Sequence, residues 1–496
     1  MKKLFFVFIF LSAFIAEGQT LEARVKEFDA YIEKSRILFQ IPGISVAVVK
    51  DGKVLLSKGY GVRELGKPEP VNGQTLFACA STTKAMTATC MAMLVDEGKV
   101  KWDDPVLKYL PDFQLYDPYV TRELKIRDLF THNSGVGNAD FFWSTMRISS
   151  DEILSQMKLV KPSYSLRSDF IYQNIFYQFA GKVIEKVSGM PWEVFIQKRI
   201  FDPLKMTRTY PMLKLVNDVN QSSPHHFVNN KITIIQRTSA DVIGPAGSVW
   251  SCADDMGKWA MCMLDSSKYA GGRLVKAATW NELFKPQVIV PANQFYPTMQ
   301  LTKPNWTTYS LGWFQQDYKG KKVNFHTGSL AGETAIHGQL PESKLGIYVF
   351  GNLDHAEVRH ALMFRAFDAF ALGGVKDWSN EFNTLYTKRN EAAEQEVKNF
   401  ESKRIMNTRP SVDMAAYAGT YTDPLFGELI ITQQGNTLVC TLNNVVKATL
   451  EHWHYDTFRG SFEKLWWGKT NATFTLNTQG KVSKVGFEGM EFRRVP

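Results

Sequence analysis

Apolar positions Leu21, Val25, Phe28, Ile32 and Leu38 recur at helical spacing, which predicts a helix over residues 21–39. Ile44–Val49 and Val54–Leu56 then flank Lys50-Asp51-Gly52-Lys53, a hairpin pattern with a glycine in its turn. Around Ala85, Met86, Cys90, Met91, Met93 and Leu94 the chain is apolar nearly all round, so the helix expected there is buried and ends near Gly98. Shorter helices are expected after Asp103-Asp104-Pro105 and over Ile126–His132, and longer ones over Phe170–Val187 and Ala253–Leu264. The period then shortens. Residues 309–316, 322–326, 334–340 and 345–350 read as strands, with a turn at Pro341–Lys344, before a helix over 357–372. Strands at both ends with helices between them predict an α/β (α+β) fold, an antiparallel sheet flanked by helices.

Residues 379–407 turn polar and helix-forming, as in a linker. Beyond them short alternating runs (428–432, 438–442, 472–476, 482–486) are separated by glycine turns. That pattern predicts a small all-β domain of about eight strands, a barrel or a sandwich. The expected domains are a signal peptide at 1–18, a main domain at 19–375, a helical linker at 376–411 and a β-domain at 412–496.

Composition changes this picture little. The 496 residues are too many for one core, and 44% hydrophobic with 22% charged content describes a globular chain. The formal charge of +9 comes without a long Lys/Arg run, so no nucleic-acid partner is expected. Lys2-Lys3 followed by the short apolar stretch Leu4–Ala16 and small residues at Ala16 and Gly18 reads as a secretory signal. The mature chain is then expected to start near Gln19, without a membrane span, in the periplasm or outside the cell. Five cysteines in apolar surroundings predict buried thiols rather than a disulfide framework. Adjacent His225 and His226 lack a carboxylate or thiol at ligand spacing and read as a surface loop, so no metal is expected.

The candidate chemistry lies in three short patterns. Ser81 and Lys84 are three residues apart, so on a first helical turn both side chains share a face. A serine needs a base, and a lysine can serve if burial keeps its amine neutral. Tyr172-Gln173-Asn174 opens the second long helix: a tyrosine beside a lysine loses its proton more readily, and an asparagine can orient the lysine or a substrate amide. His326-Thr327-Gly328, at the expected end of a strand and followed by Ser329, offers small residues beside which a peptide-like substrate can lie. Trp453, Trp466 and Trp467 read as core of the β-domain.

Together the three patterns resemble the serine β-lactamase and penicillin-binding-protein superfamily, in the branch of class C β-lactamases, D,D-peptidases, D-aminopeptidases and esterases. Further blocks resemble it in order: Asp103-Asp104-Pro105-Val106, Tyr109-Leu110-Pro111, Leu129-Phe130-Thr131-His132-Asn133-Ser134-Gly135, Tyr177, Gly181, Ser188-Gly189 and Phe201-Asp202-Pro203-Leu204. The chain from Tyr417 onward is similar to a small lipocalin-like β-barrel often appended to such hydrolases. The resemblance implies a β-lactamase/transpeptidase-like fold and a cofactor-free acyl transfer. Ser81 would be the nucleophile, and Lys84 and Tyr172 would share the proton transfer. Asn174, His326, Thr327, Gly328 and Ser329 would hold the substrate, with backbone N–H groups of Ser81 and Ser329 as oxyanion hole. Typical β-lactamases carry lysine where this chain has His326, and an imidazole is only partly charged at neutral pH. Hydrolysis of D-amino-acid peptides, including cell-wall peptides, or of small esters is therefore expected ahead of β-lactam hydrolysis; a non-catalytic penicillin-binding or sensor role is the other alternative.

Overall fold

The computed structural model describes residues 20–146, 148–355 and 357–496, so the expected signal peptide lies outside the described residues. Eight antiparallel strands form the main sheet: β1 (Gly43–Lys50), β2 (Lys53–Gly61), β3 (Val288–Ile289), β4 (Thr307–Tyr309), β5 (Phe314–Tyr318), β6 (Lys321–Leu330), β7 (Glu333–Leu340) and β8 (Leu345–Gly351). Their spatial order is β2-β1-β8-β7-β6-β5-β4-β3.

Side chains alternate across a strand, so each face of the sheet has its own core. On one face Val323 and Phe325 pack with α1 (Leu21–Leu38) and a later helix, Val358–Phe367. On the other, Leu330 joins the core around α2 (Thr83–Asp96), α3 (Ile175–Ser188) and α4 (Ala253–Leu264). From α2, the residues from Thr83 to Leu94 are all buried, as the all-round apolar run requires.

Four expectations about the sheet domain need correction. The stretch 309–316 is two strands, not one: between β4 and β5 the chain turns at Gly312 (φ +84), whose Cβ would stand 3.0 Å from the Lys84 carbonyl oxygen. Helix α3 starts only at Ile175; the residues before it are tied instead to His132, the Ile171 amide donating to its carbonyl (2.7 Å) and the Gln173 amide to its Nδ1 (3.0 Å). His326-Thr327-Gly328 lies inside β6, which runs on to Leu330. His225 is buried in a short strand (His225–Val228), its Nε2 accepting from the Leu65 amide (3.0 Å) and its Nδ1 donating to the Asn352 carbonyl (2.8 Å). Among the described residues no cluster of His, Cys, Asp or Glu could hold a metal, and no helix is long and apolar enough to cross a membrane.

A helix from Trp378 to Ser402 leads out of the sheet domain; its first turn is buried, while its far end stacks Phe400 on Trp453. The C-terminal strands, from Gly419–Asp423 to Met490–Arg494, close into an eight-stranded antiparallel barrel. The barrel touches the sheet domain where Phe426 meets Phe141, ring centroids 5.0 Å apart. Trp453, Trp466 and Trp467 are only half-buried; Trp466 and Trp467 lie in a short helical turn, from which Trp467 packs against the barrel core.

Candidate active site

Ser81 sits in a 3-10 turn (Ala80–Thr82) that runs straight into α2, just before its N-cap Thr82 rather than inside its first turn. Ala80 holds φ +46, a left-handed conformation that costs a non-glycine residue energy and persists only where the surroundings enforce it. Here they do: the Thr82 hydroxyl is tied to the Cys79 carbonyl (2.8 Å) and to the hydroxyl of Tyr348 on β8. Strand β6 also presses on the turn. A Cβ on Gly328 would stand 2.1 Å from the Cys79 carbonyl oxygen and 3.0 Å from the Ala80 Cβ, so only glycine fits.

Lys84 is fully buried, and its Nζ has three polar partners: Ser81 Oγ (3.1 Å), Asn174 Oδ1 (2.6 Å) and the Ala246 carbonyl (2.9 Å). The rings of Tyr172 and Tyr177 lie 4.9 and 5.1 Å from it. Burial pulls its pKa down to about 7, with the Asp140 charge pulling the other way. Near neutrality much of the amine is therefore uncharged. An uncharged amine has two N–H bonds and one lone pair, and two of its three partners can only accept. The two N–H bonds belong to Asn174 and Ala246, so the lone pair faces the serine hydroxyl.

Tyr172 behaves differently from the expectation that lysine would acidify it. Burial pushes its phenol well above the ordinary value, and a hydrogen bond to Ser81 opposes that shift without cancelling it. Burial of the phenol, not the neighbouring lysine, decides its protonation. Asn174 is the N-cap of α3, yet its side chain makes no capping bond; its oxygen goes to Lys84 and its nitrogen to Asp140 Oδ2 (2.8 Å).

His326 is the clearest departure. Its Nδ1 donates to the Thr327 carbonyl (2.6 Å), which leaves Nε2 to accept from the Tyr309 hydroxyl (2.9 Å). Burial drops its pKa to about 3. It is neutral at physiological pH and both ring nitrogens are engaged, so it is a wall of the site and not a ligand for substrate. Thr327 faces the other side of the sheet, bonded to the Tyr296 hydroxyl (2.6 Å). The Ser329 hydroxyl accepts from Arg359 Nη1 (2.9 Å), which also holds the Gly328 carbonyl (2.6 Å). What this segment presents towards Ser81 is backbone: β6 pairs with β5 only as far as Phe325, so from His326 to Leu330 its edge on that side is open.

Sequence reasoning missed two contributors. His132, at φ +60, stacks on Tyr172 with centroids 4.3 Å apart, and burial holds its pKa well below the usual histidine value. Asp140 sits just before a short helix (Phe141–Thr145), in a loop with no periodic signal. Cys79, buried with its thiol pushed up to about 12, is inert, and all five cysteines are free and buried. Beside Ser329 a cavity of about 680 Å³ opens between the two domains, walled by Trp143, Arg237 and Leu330 on one side and Trp466 and Trp467 of the barrel on the other.

The beta-lactamase family profile matches residues 25–369, more than half of the chain. The chain belongs to the beta-lactamase family. It is a serine hydrolase of that family with a further C-terminal module: residues 403–495 match a domain of unknown function, DUF3471. The unguisins hydrolase ungD of Aspergillus violaceofuscus is 25% identical over 88% of this chain and 82% of its own length. An octameric penicillin-binding protein homologue from Pyrococcus abyssi superposes with TM-score 0.63 at 21% identity, covering 94% of this chain and 99% of its own. A D-amino acid amidase from Ochrobactrum anthropi, TM-score 0.59 at 21% identity, covers 69% of this chain and 98% of its own. These two likenesses are of fold.

Proposed function

We propose that this beta-lactamase family member hydrolyses amide bonds in peptides containing D-amino acids, through an acyl-enzyme on Ser81. The observation that carries the reading is the partner set of Lys84, a buried amine whose remaining lone pair faces the serine hydroxyl at 3.1 Å. Lys84 Nζ takes the Ser81 proton as Oγ attacks the carbonyl carbon, forming the C–O bond. The carbonyl oxygen gathers negative charge, for which backbone N–H groups of Ser81 and Ser329 are the proposed donors. Tyr172, which keeps its proton, stands at Ser81 and hands a proton to the leaving nitrogen as the C–N bond breaks; the lysine ammonium restores it. Water repeats the sequence on the ester and frees Ser81.

The strand and its wall support this substrate class. An extended peptide can lie along the open edge of β6 as an added strand. A neutral, fully engaged His326 offers no cation for an antibiotic carboxylate, which favours peptide over β-lactam. A D-stereospecific amidohydrolase from Streptomyces and the D-amino acid amidase share this fold, in keeping with D-configured substrates.

The test is turnover of D-amino-acid p-nitroanilides, D-Ala-D-Ala peptides and p-nitrophenyl butyrate by the protein and its Ser81→Ala variant. Amide turnover by the wild type with a loss of about a thousandfold or more in the variant is expected. Ester turnover alone would replace peptides by esters, and an unchanged variant would remove Ser81 as nucleophile.

A further inference from the structure

One loop grips three consecutive residues at the start of α3. Asn138 Nδ2 donates to the Tyr172 carbonyl (2.9 Å), Gln173 Nε2 donates to the Gly137 carbonyl (2.8 Å), and Asn174 Nδ2 donates to Asp140 Oδ2 (2.8 Å). The loop is braced in turn, the Asp140 amide donating to Asn138 Oδ1 (3.0 Å) and Asn138 Nδ2 reaching Asp140 Oδ2 (3.3 Å).

A carboxylate only accepts hydrogen bonds, so the Asn174 amide must turn its nitrogen to Asp140 and its oxygen to Lys84. The reverse orientation would have a different chemistry. An amide N–H aimed at Lys84 would bond to the amine lone pair, the same lone pair that faces Ser81. The carbonyl-inward orientation instead takes up one lysine N–H and leaves the lone pair open. We propose that Asp140 is a positioning residue for the serine-to-lysine proton transfer, locking the Asn174 amide in the one orientation that keeps the Lys84 lone pair free for Ser81. The inference rests on the reading of Ser81 and Lys84 given above.

The same carboxylate acts on Lys84 by its charge. The Oδ2 of Asp140 accepts only from the uncharged amides of Asn138 and Asn174 among the described residues, and its Oδ1 is buried without a hydrogen-bond partner. Around the lysine amine stand the neutral imidazoles of His132 and His326, the Tyr172 and Tyr177 rings, Asn174 and the Ala246 carbonyl. Asp140 is the carboxylate that raises the affinity of Lys84 for its proton. Two effects are thus separable. Asp140→Ala removes the acceptor and the charge; Asp140→Asn keeps an acceptor oxygen for Asn174 and removes only the charge.

The experiment pairs the phosphonylation of Ser81 by a fluorophosphonate probe, in which Oγ attacks phosphorus and fluoride leaves, measured across pH, with titration of the Lys84 amine by 15N NMR on lysine-labelled protein, its signal assigned by loss in Lys84→Met. Thermal melts confirm folding of each variant. Asp140→Ala is expected to react about tenfold or more slowly on the plateau at high pH, and, having lost the same charge, to show its limb and its Lys84 midpoint moved to lower pH as well. Asp140→Asn should recover most of that plateau rate, while its acid limb and its Lys84 midpoint both move to lower pH. Wild-type speed in Asp140→Ala overturns the inference. So does an Asp140→Asn variant as slow as Asp140→Ala with an unmoved midpoint, the signature of a merely structural residue. If the Lys84 midpoint moves as expected while Ser81 reacts with neither probe nor substrate, the nucleophile reading fails and the Asp140–Lys84 coupling stands.

Discussion

The corner around Ser81 and the C-terminal barrel are both tightly packed, but by opposite means. The barrel interior is apolar, with Leu429, Ile431, Leu438, Leu450, Val485 and Phe492 buried together. Its stability comes from area removed from water, and any one side chain acts as one share of a sum. The corner instead buries a lysine, an asparagine and two histidines, and each is tolerable only because specific atoms meet it. One region is governed by volume, the other by partner identity. Substitutions should therefore separate them: barrel changes should cost stability and spare chemistry, and corner changes should cost chemistry whatever they cost in stability.

The largest effect is expected in the barrel. Leu450 is fully buried, and Leu450→Ala should cost about 2–5 kcal/mol from lost transfer and a residual cavity. Chemical denaturation followed by the barrel tryptophans measures it. At temperatures where the variant is folded, acylation of Ser81 should stay within about twofold of wild type. A parallel loss of acylation would show that the barrel holds the corner together through Phe426 on Phe141 and would break the comparison.

Next comes Gly328→Ala, a corner change that adds one methyl. The new Cβ meets the Cys79 carbonyl oxygen at 2.1 Å, so β6 must retreat from the turn that carries Ser81. The expected stability cost is about 1–3 kcal/mol. Acylation should fall as well, about tenfold to a hundredfold, because displacement by a fraction of an ångström acts on the reaction geometry. A melt that drops while acylation holds would mean that β6 supports the domain without setting the site.

The two regions also differ in how far sequence revealed them. Alternation in runs such as 438–442 was enough for eight strands, because a barrel repeats one rule; what stayed open was barrel or sandwich, a matter of closure between the first and last strands. In the corner the spacing of Ser81 and Lys84 was visible, and Asn174 with it. The protonation logic was not. His326 looked like a substrate ligand until Tyr309 and the Thr327 carbonyl were seen to occupy its ring, and Tyr172 looked acidified until burial was seen to outweigh the lysine. Asp140 carried no signal, since its meaning lies in a contact 34 residues away in the chain. Partners are three-dimensional facts, whereas volume patterns are nearly one-dimensional.

The smallest effect, and the sharpest, is in pH. Lys84 must be neutral to accept the Ser81 proton, and burial sets its pKa at about 7, below the ordinary lysine value. Acylation should accordingly rise with pH and level off above about 7; below that point each pH unit should cost about tenfold, or ~1.4 kcal/mol. The neighbours do not blur this limb, since His132 and His326 stay neutral well below it and Tyr172 keeps its proton well above it. A pH series of Ser81 phosphonylation by the fluorophosphonate probe, in which attack by Oγ needs the same neutral lysine, reads this limb. The Leu450→Ala barrel variant should show the same limb at the same pH, because nothing in the barrel core touches the amine. A limb near 4 would point to a carboxylate in place of the lysine, and a limb that shifted with the barrel variant would make the corner's electrostatics a property of the whole chain rather than of its few named partners.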